Sequence, residues 1–215
     1  MTLKLCNYHS PFSFVLGNEL LPLFIFYFIF FTSLISFTRK LSLLFSCYVS
    51  LVVATSFITG VTGILCSRFC QKVVLTDHNE EVLKILKKNI ELHSVPENNC
   101  PTSHGLVAEK LEWGNSDQIN EILQNHPGGF DFILGADICF QQSSIPLLFD
   151  TVKMLLLVKE DRECKFILAY VSRAKTIDMM IVNEALKHGL QMKELPGTRH
   201  IVGNLEGVIF EITLH

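Results

Sequence analysis

The chain has 215 residues, room for one ordinary domain with a short appendage. A net charge of −3 and a pI near 6.2 carry no polyelectrolyte signal, which argues against a nucleic-acid partner. Seven cysteines, odd in number and without framework spacing, and the lack of any Asn-x-Ser/Thr acceptor fit reduced thiols in a cytosolic or nuclear compartment.

In chain order, residues 1–58 carry four charges, Lys4, Glu19, Arg39 and Lys40, and hold ten of the 17 phenylalanines. This composition shift divides an apolar N-terminal segment, taken as residues 1–50, from a domain of ordinary composition over 51–215. Leu20–Phe37 is an uncharged run of 18 residues, at the lower limit for crossing a bilayer. Arg39 and Lys40 follow it and favour a cytoplasmic side for the domain. Three readings stay open. The run is a membrane anchor, with membrane contact through residues 20–37. It is a start not native to the domain, because a Phe, Leu, Ser and Ile bias is what a thymine-rich stretch encodes. Or it is a buried core helix. An apolar helix loosely joined to the domain is expected over Leu20–Phe37. A cleavable signal peptide does not fit, since the n-region is long and weakly basic and no small-x-small site is clear.

Lys72–Thr76 is short, β-branched and bounded by polar residues, and predicts a buried strand near the centre of a sheet. Asn79–His93 predicts a helix: Val82, Ile85, Leu86 and Ile90 follow helical spacing, with Glu80 and Glu81 in the favourable first turn. Residues 95–103 form a loop, His104–Leu111 a strand and Asp117–Gln124 a short helix. Pro127-Gly128-Gly129 punctuates the chain before a strand over Phe130–Gly135. Ser144–Val158 is helical, Lys165–Val171 a buried strand, and Ile177–Lys187 a helix stopped at Gly189. Leu190–Leu195 and Gly207–Leu214 are two strands in succession. Strands alternating with helices and ending in two strands predict a mainly parallel sheet with a terminal antiparallel hairpin.

Two strands end on a carboxylate, Asp77 and Asp137, and ligands of open α/β sheets sit outside the carboxyl ends of strands. Asp77 can take two hydroxyl hydrogens of a ribose, or cap the helix that follows. Gly60-Val61-Thr62-Gly63 either lets the backbone approach a ligand or makes a tight strand-to-helix turn. Ala54, Ser56 and Ile58 stand where an intact loop would have an acid and two more glycines. Trp113, the only tryptophan, either walls a purine or packs at the rim. Asp137 and Phe140 sit three apart in a turn, and a carboxylate with an aromatic wall suits a cationic or amine substrate; a helix-start cap is the alternative for Asp137. Cys66 and Cys70 lie four apart, a spacing that would put both on one helix face, but two thiols do not close a zinc site, so buried thiols are expected. No order of nucleophile, histidine and acid supports a hydrolytic triad.

These stretches together resemble the seven-strand S-adenosylmethionine-dependent methyltransferases. They are most similar to the protein-lysine branch often called methyltransferase family 16, which includes calmodulin-lysine methyltransferase. Its marks here are Gly60–Ile64, Val73–Asp77, Leu111-Glu112-Trp113-Gly114, Phe130–Ala136 followed by the acid-x-x-aromatic turn Asp137–Phe140, and Gly207–Ile212. The resemblance covers residues 59–215 and implies a Rossmann-like methyltransferase sheet and S-adenosyl-L-methionine as cofactor. It implies that Gly60, Gly63, Asp77, Trp113 and Ala136 hold that cofactor, with Asp77 on the ribose and Trp113 and Ala136 flanking the adenine. Asp137 and Phe140 are the implied catalytic residues, shaping the channel of a lysine presented by a protein substrate. Two other functions stay open: a catalytically inactive, membrane-tethered remnant acting as a binding module, and a nicotinamide-dependent oxidoreductase, against which the terminal hairpin and the Asp-x-x-Phe turn argue.

Overall fold

Strands of three to ten residues, rich in apolar and β-branched side chains, form one sheet, and segments of helical spacing pack on its faces. The computed structural model describes residues 2–7, 10–15, 50–54, 60–67, 70–93, 105–158, 164–202 and 204–215. In chain order the elements are β1 (Thr2–Asn7), β2 (Ser10–Val15), β3 (Ser50–Ala54), α1 (Val61–Cys66), β4 (Lys72–Asp77), α2 (Glu80–His93), β5 (Gly105–Lys110) and α3 (Ser116–Asn125). They continue with β6 (Phe132–Ala136), α4 (Ile145–Leu156), β7 (Lys165–Ser172), α5 (Lys175–Lys187), β8 (Leu190–Glu194), β9 (His200–Val202) and β10 (Leu205–Leu214).

The main sheet runs β5-β4-β3-β6-β7-β10-β8, and β9 pairs with β10. The β5, β4, β3, β6 and β7 neighbours are parallel; β10 is antiparallel to β7, β8 and β9. The expected parallel sheet with an antiparallel end is therefore present. β1 and β2 pair with each other as an antiparallel hairpin.

Helices on both faces bury successive strand residues, which explains why β4 and β7 read as near-continuous apolar runs. Val74, Ile133, Phe166 and Leu168 pack with Ile119 of α3, Phe149 and Val152 of α4 and Ile181 of α5. Val73, Leu75, Phe132, Leu134 and Ile167 face the other way, onto Leu83 and Leu86 of α2 and Cys66 of α1.

Three details differ from the sequence-based expectation. The centre of the sheet is not Lys72–Asp77, which lies one strand in from the edge. The middle strand of this order is β6, and β3 fills the interior position between it and β4, where Val52 pairs with Val74 on one side and Ile133 on the other. β3 comes from the charge-poor region, where its five residues merge into a longer apolar run and carry no boundary of their own. β9 is a further short strand inside the turn-rich stretch between β8 and β10. The helix expected over Leu20–Phe37 lies outside the described residues. Among the described residues no helix is long and apolar enough to cross a membrane.

Candidate functional site

The site lies at the carboxyl ends of β4, β5 and β6, where the strands stop and their loops turn away. Asp77 closes β4 and is buried. Its Oδ1 accepts the Asn79 amide at 2.8 Å, and the His78 Nδ1 stands 3.5 Å from the same oxygen. Asn79 then caps α2, its Oδ1 accepting the amides of Glu81 at 2.8 Å and Val82 at 3.5 Å. Capping of the helix thus falls mainly to Asn79, and Asp77 braces the turn ahead of it. The neighbouring strand is tied on at the same level, because the Leu111 amide donates to the Asp77 carbonyl at 3.0 Å.

Trp113 is held by the turn after β5. The Glu112 amide donates to Gln118 Oε1 at 2.7 Å, and the Gly114 amide donates to Thr151 Oγ1 of α4 at 2.8 Å. Gly114 has φ +83°, and a Cβ there would lie 2.9 Å from Leu147 Cδ2, so the turn presses on α4 with no room for a side chain. Asn115 caps α3 by accepting the Gln118 amide at 3.1 Å.

The turn after β6 is built differently. Asp137 has φ +53°, the one left-handed non-glycine among the described residues, a conformation that aspartate tolerates better than most. Its amide donates to the Ala169 carbonyl of β7 at 2.7 Å. Its carboxylate forms a two-pronged ion pair with Arg173, Nη1 to Oδ1 and Nη2 to Oδ2, each at 2.5 Å. Ile138 and Cys139 are buried beneath the turn. Ile138 folds back so closely over β6 that a Cβ on Gly135 would lie 2.6 Å from its Cδ1. Burial and the adjacent Asp137 charge push the Cys139 thiol up to about 12. Phe140 emerges at the surface, 53% exposed.

A cleft of about 400 Å³ joins these loops; Asp77, Asn79, Leu111, Trp113, Ile138 and Phe140 line it. Of the residues singled out in the sequence, Asp77, Trp113 and Phe140 meet there. Gly60, Gly63, Ala136 and Asp137 are not among its described lining residues. Gly60 has φ +77°, and a Cβ on it would lie 2.7 Å from Leu86 Cδ2 and 2.9 Å from Leu75 Cδ1, so its bare side is turned to the core. Gly63 lies inside α1, with its carbonyl accepting the Ser67 amide at 2.8 Å. Ala136 ends β6 beside Ala169. Cys66 and Cys70 are buried free thiols; burial raises both, Cys70 to about 12. Among the described residues no group of His, Cys, Asp and Glu is arranged to hold a metal ion.

Arg173 was not singled out in the sequence, because a lone arginine after a strand carries no pattern. The usable signal was positional: it follows the strand next to the one that Asp137 directly follows. Leu111, Ile138 and Asn79 were equally silent as cleft residues.

A buried carboxylate beside an apolar aromatic wall suits a ligand carrying hydroxyl donors on one part and a flat ring on another. The volume is within the range of about 300–1,000 Å³ usual for small-molecule sites. A nucleoside-bearing cofactor fits this donor set.

Residues 58–185 match the model of a family described as lysine methyltransferase. The chain is 32% identical over 98 residues to protein N-lysine methyltransferase METTL21A of Danio rerio, covering 45% of this chain and 40% of that protein. It is 36% identical over 101 residues to EEF1A lysine methyltransferase 3 of Xenopus tropicalis, covering 45% and 38%. The matches thus span about two fifths of the length of these relatives. In fold the chain is similar to magnesium protoporphyrin IX methyltransferase of Synechocystis PCC 6803, solved with bound SAM. The TM-score is 0.65 at 9% identity, covering 94% of this chain and 86% of that one. It is also similar to the methyltransferase domain of bacterial CtHen1, with a TM-score of 0.62 at 10% identity, covering 88% and 100%.

Proposed function

Because the chain belongs to the lysine methyltransferase family, we propose that it transfers a methyl group from S-adenosyl-L-methionine to a lysine side chain of a protein. The observation that carries this reading is the buried Asp77 carboxylate lining one cleft with Trp113 and Phe140 at the carboxyl ends of the strands. The relatives named as lysine methyltransferases support a protein substrate, and the neighbour solved with bound SAM supports the cofactor.

In this reading Asp77 accepts the ribose hydroxyls, and Leu111 and Trp113 give the adenine an apolar wall. The bound cofactor supplies an electrophilic methyl on a sulfonium. The chain's own contribution is to bind, orient and exclude water. The acceptor lysine has an ordinary pKa of about 10.4 and reacts as the neutral amine. Phe140 and Ile138 lower the polarity at the mouth of the cleft, which favours that neutral form over the ammonium. Phe140 is the wall of the lysine channel. Asp137 contributes behind it, through the turn that carries Phe140. Gly60, Gly63 and Ala136 shape the elements around the cofactor, with Gly60 acting through the core packing it allows.

Calorimetric titration of the full chain with S-adenosylmethionine and S-adenosylhomocysteine tests the reading. Saturable binding that weakens in Asp77→Asn supports it; no binding by the unmodified chain overturns it. The combined variant Ala54→Glu, Ser56→Gly, Ile58→Gly sharpens the result. Ala54 ends β3 between Thr76 and Gly135, so an acid there stands beside the end of β4. This variant is expected to bind S-adenosylhomocysteine more tightly than the parent.

A further inference from the structure

Three anchors hold the turn between β6 and α4. The Asp137 amide donates to β7, Ile138 and Cys139 are buried, and the Asp137 carboxylate is gripped by Arg173. The first two are features of any chain that folds back over its own strand. The third is specific, because it needs a cation at the end of the adjacent strand. Arg173 supplies it one residue beyond Ser172, and its Nη1 also donates to the Val171 carbonyl at 3.3 Å. The carboxylate side chain is 6% exposed and the guanidinium side chain 35%, so the arginine closes over the acid from the solvent side. Asp137 is in a left-handed conformation, which for an L-residue other than glycine persists only where its surroundings fix it. That conformation reverses the chain, so that Ile138 turns inward and Phe140 reaches the cleft.

We infer that Arg173 is a positioning residue of this site: by gripping Asp137 with two parallel hydrogen bonds it sets the Asp137–Phe140 turn, and through it the wall that Phe140 presents to the cleft. This rests on the methyltransferase reading only for what the cleft binds. The two-pronged geometry matters, since a planar guanidinium fixes both position and orientation of a carboxylate, whereas an ammonium fixes position alone. Asp137 thus serves the site through the arginine. It is not offered to a substrate amine, because its carboxylate is already committed to a cation and lies outside the described lining.

The test places 4-fluorophenylalanine at position 140 of the full chain and follows its fluorine resonance. The variants are Asp137→Asn, Arg173→Met, the double variant and Arg173→Lys. Circular dichroism and thermal unfolding confirm that each is folded. Both single variants are expected to move the resonance in the same direction, and the double variant no further than the larger of the two. Arg173→Lys should lie between parent and Arg173→Met. A pair that only added stability would leave the resonance of the folded variants in place. An unmoved resonance in folded Arg173→Met, or shifts that add in the double variant, overturns the inference. If Arg173→Met does not fold, the comparison of Arg173→Lys with Asp137→Asn decides. Shifts in the same direction, smaller for lysine, uphold the inference, and an unmoved lysine variant overturns it. S-adenosylhomocysteine titration of the same samples is expected to agree within about threefold, a difference below about 0.7 kcal/mol. Absence of binding in the parent would fail the methyltransferase reading while leaving the fluorine comparison intact.

Discussion

Asp77 and Asp137 carry the same local signature, an apolar strand ending in a carboxylate, yet the fold uses them differently. At the end of β4 the acid braces a helix start and lines the cleft. At the end of β6 the acid is drawn sideways to Arg173 and stands outside the described lining. The adjacent strand makes the difference. Beside Asp137, β7 ends in Ser172 and then an arginine long enough to reach across. Beside Asp77, β5 ends in Lys110, whose Nζ instead pairs with the exposed Glu80 at 2.6 Å. A carboxylate at a strand end is therefore an offer, and the neighbouring strand's next residues decide what takes it up.

The strongest way to break this contrast is stability. Arg173→Ala strands a buried carboxylate without its cation. Removing one partner of a buried pair costs about 3–5 kcal/mol, and the partial exposure of Arg173 lowers the expectation to about 2–4 kcal/mol. Asp77→Asn keeps an oxygen for the Asn79 amide and is expected to cost less than about 1 kcal/mol. Equal losses in chemical denaturation would erase the distinction. Ligand affinity should reverse the order. Asp77→Asn is expected to weaken S-adenosylhomocysteine by about 1.5–3 kcal/mol, roughly tenfold to more than a hundredfold in calorimetry, while Asp137→Asn stays near the parent.

A smaller effect tests the wall opposite. Thr151→Val removes the acceptor of the Gly114 amide and is expected to cost about 1 kcal/mol and to alter the emission of the single tryptophan, Trp113. The smallest effect at neutral pH concerns Cys139, whose pKa of about 12 keeps it protonated in the fold. Iodoacetamide at pH 8, followed by peptide mapping, should leave it unmodified in the native chain and alkylate it after denaturation. The sign for stability follows. A thiol raised from the ordinary value of 9.0 binds its proton more tightly when folded, so its contribution is complete below about pH 9 and is lost as pH climbs toward about 12. Stability flat across that window would contradict the burial of Cys139.

Most of the sheet was legible because period and punctuation agree along residues 72–215: β-branched runs, helical spacing and Pro-Gly breaks recur in order. β3 was not, because an apolar strand inside an apolar region has no edges to read. The central placement expected for Lys72–Thr76 failed because strand order is a property of long-range pairing, which a local apolar run does not carry. Asp77, Trp113 and Phe140 meet at one cleft because Asp77 closes its strand and the other two follow strand ends, and a parallel sheet gathers those ends on one side. The Arg173 grip was hidden by distance: 36 residues separate it from Asp137, and only the pairing of β6 with β7 brings the two together. Gly60 was legible as a turn but not in its purpose, since only the packed Leu75 and Leu86 side chains show which way its missing side chain faces.

β3 also governs how the molecule is assembled in time. Its Val52 pairs with Val74 across a short stretch of chain, but with Ile133 only after a much longer one. The β4–α2–β5 unit can form locally, whereas joining it to β6 and β7 requires five residues to slot between two strands far apart along the chain. Such distant pairing slows folding, and until it occurs β4 and β6 each present an unpaired row of amides and carbonyls. A proteolytic cut after residue 54 that let this strand escape would leave those same two edges open inside the sheet, a template for sticking to other chains. Retention of one short interior strand therefore guards this protein against aggregation.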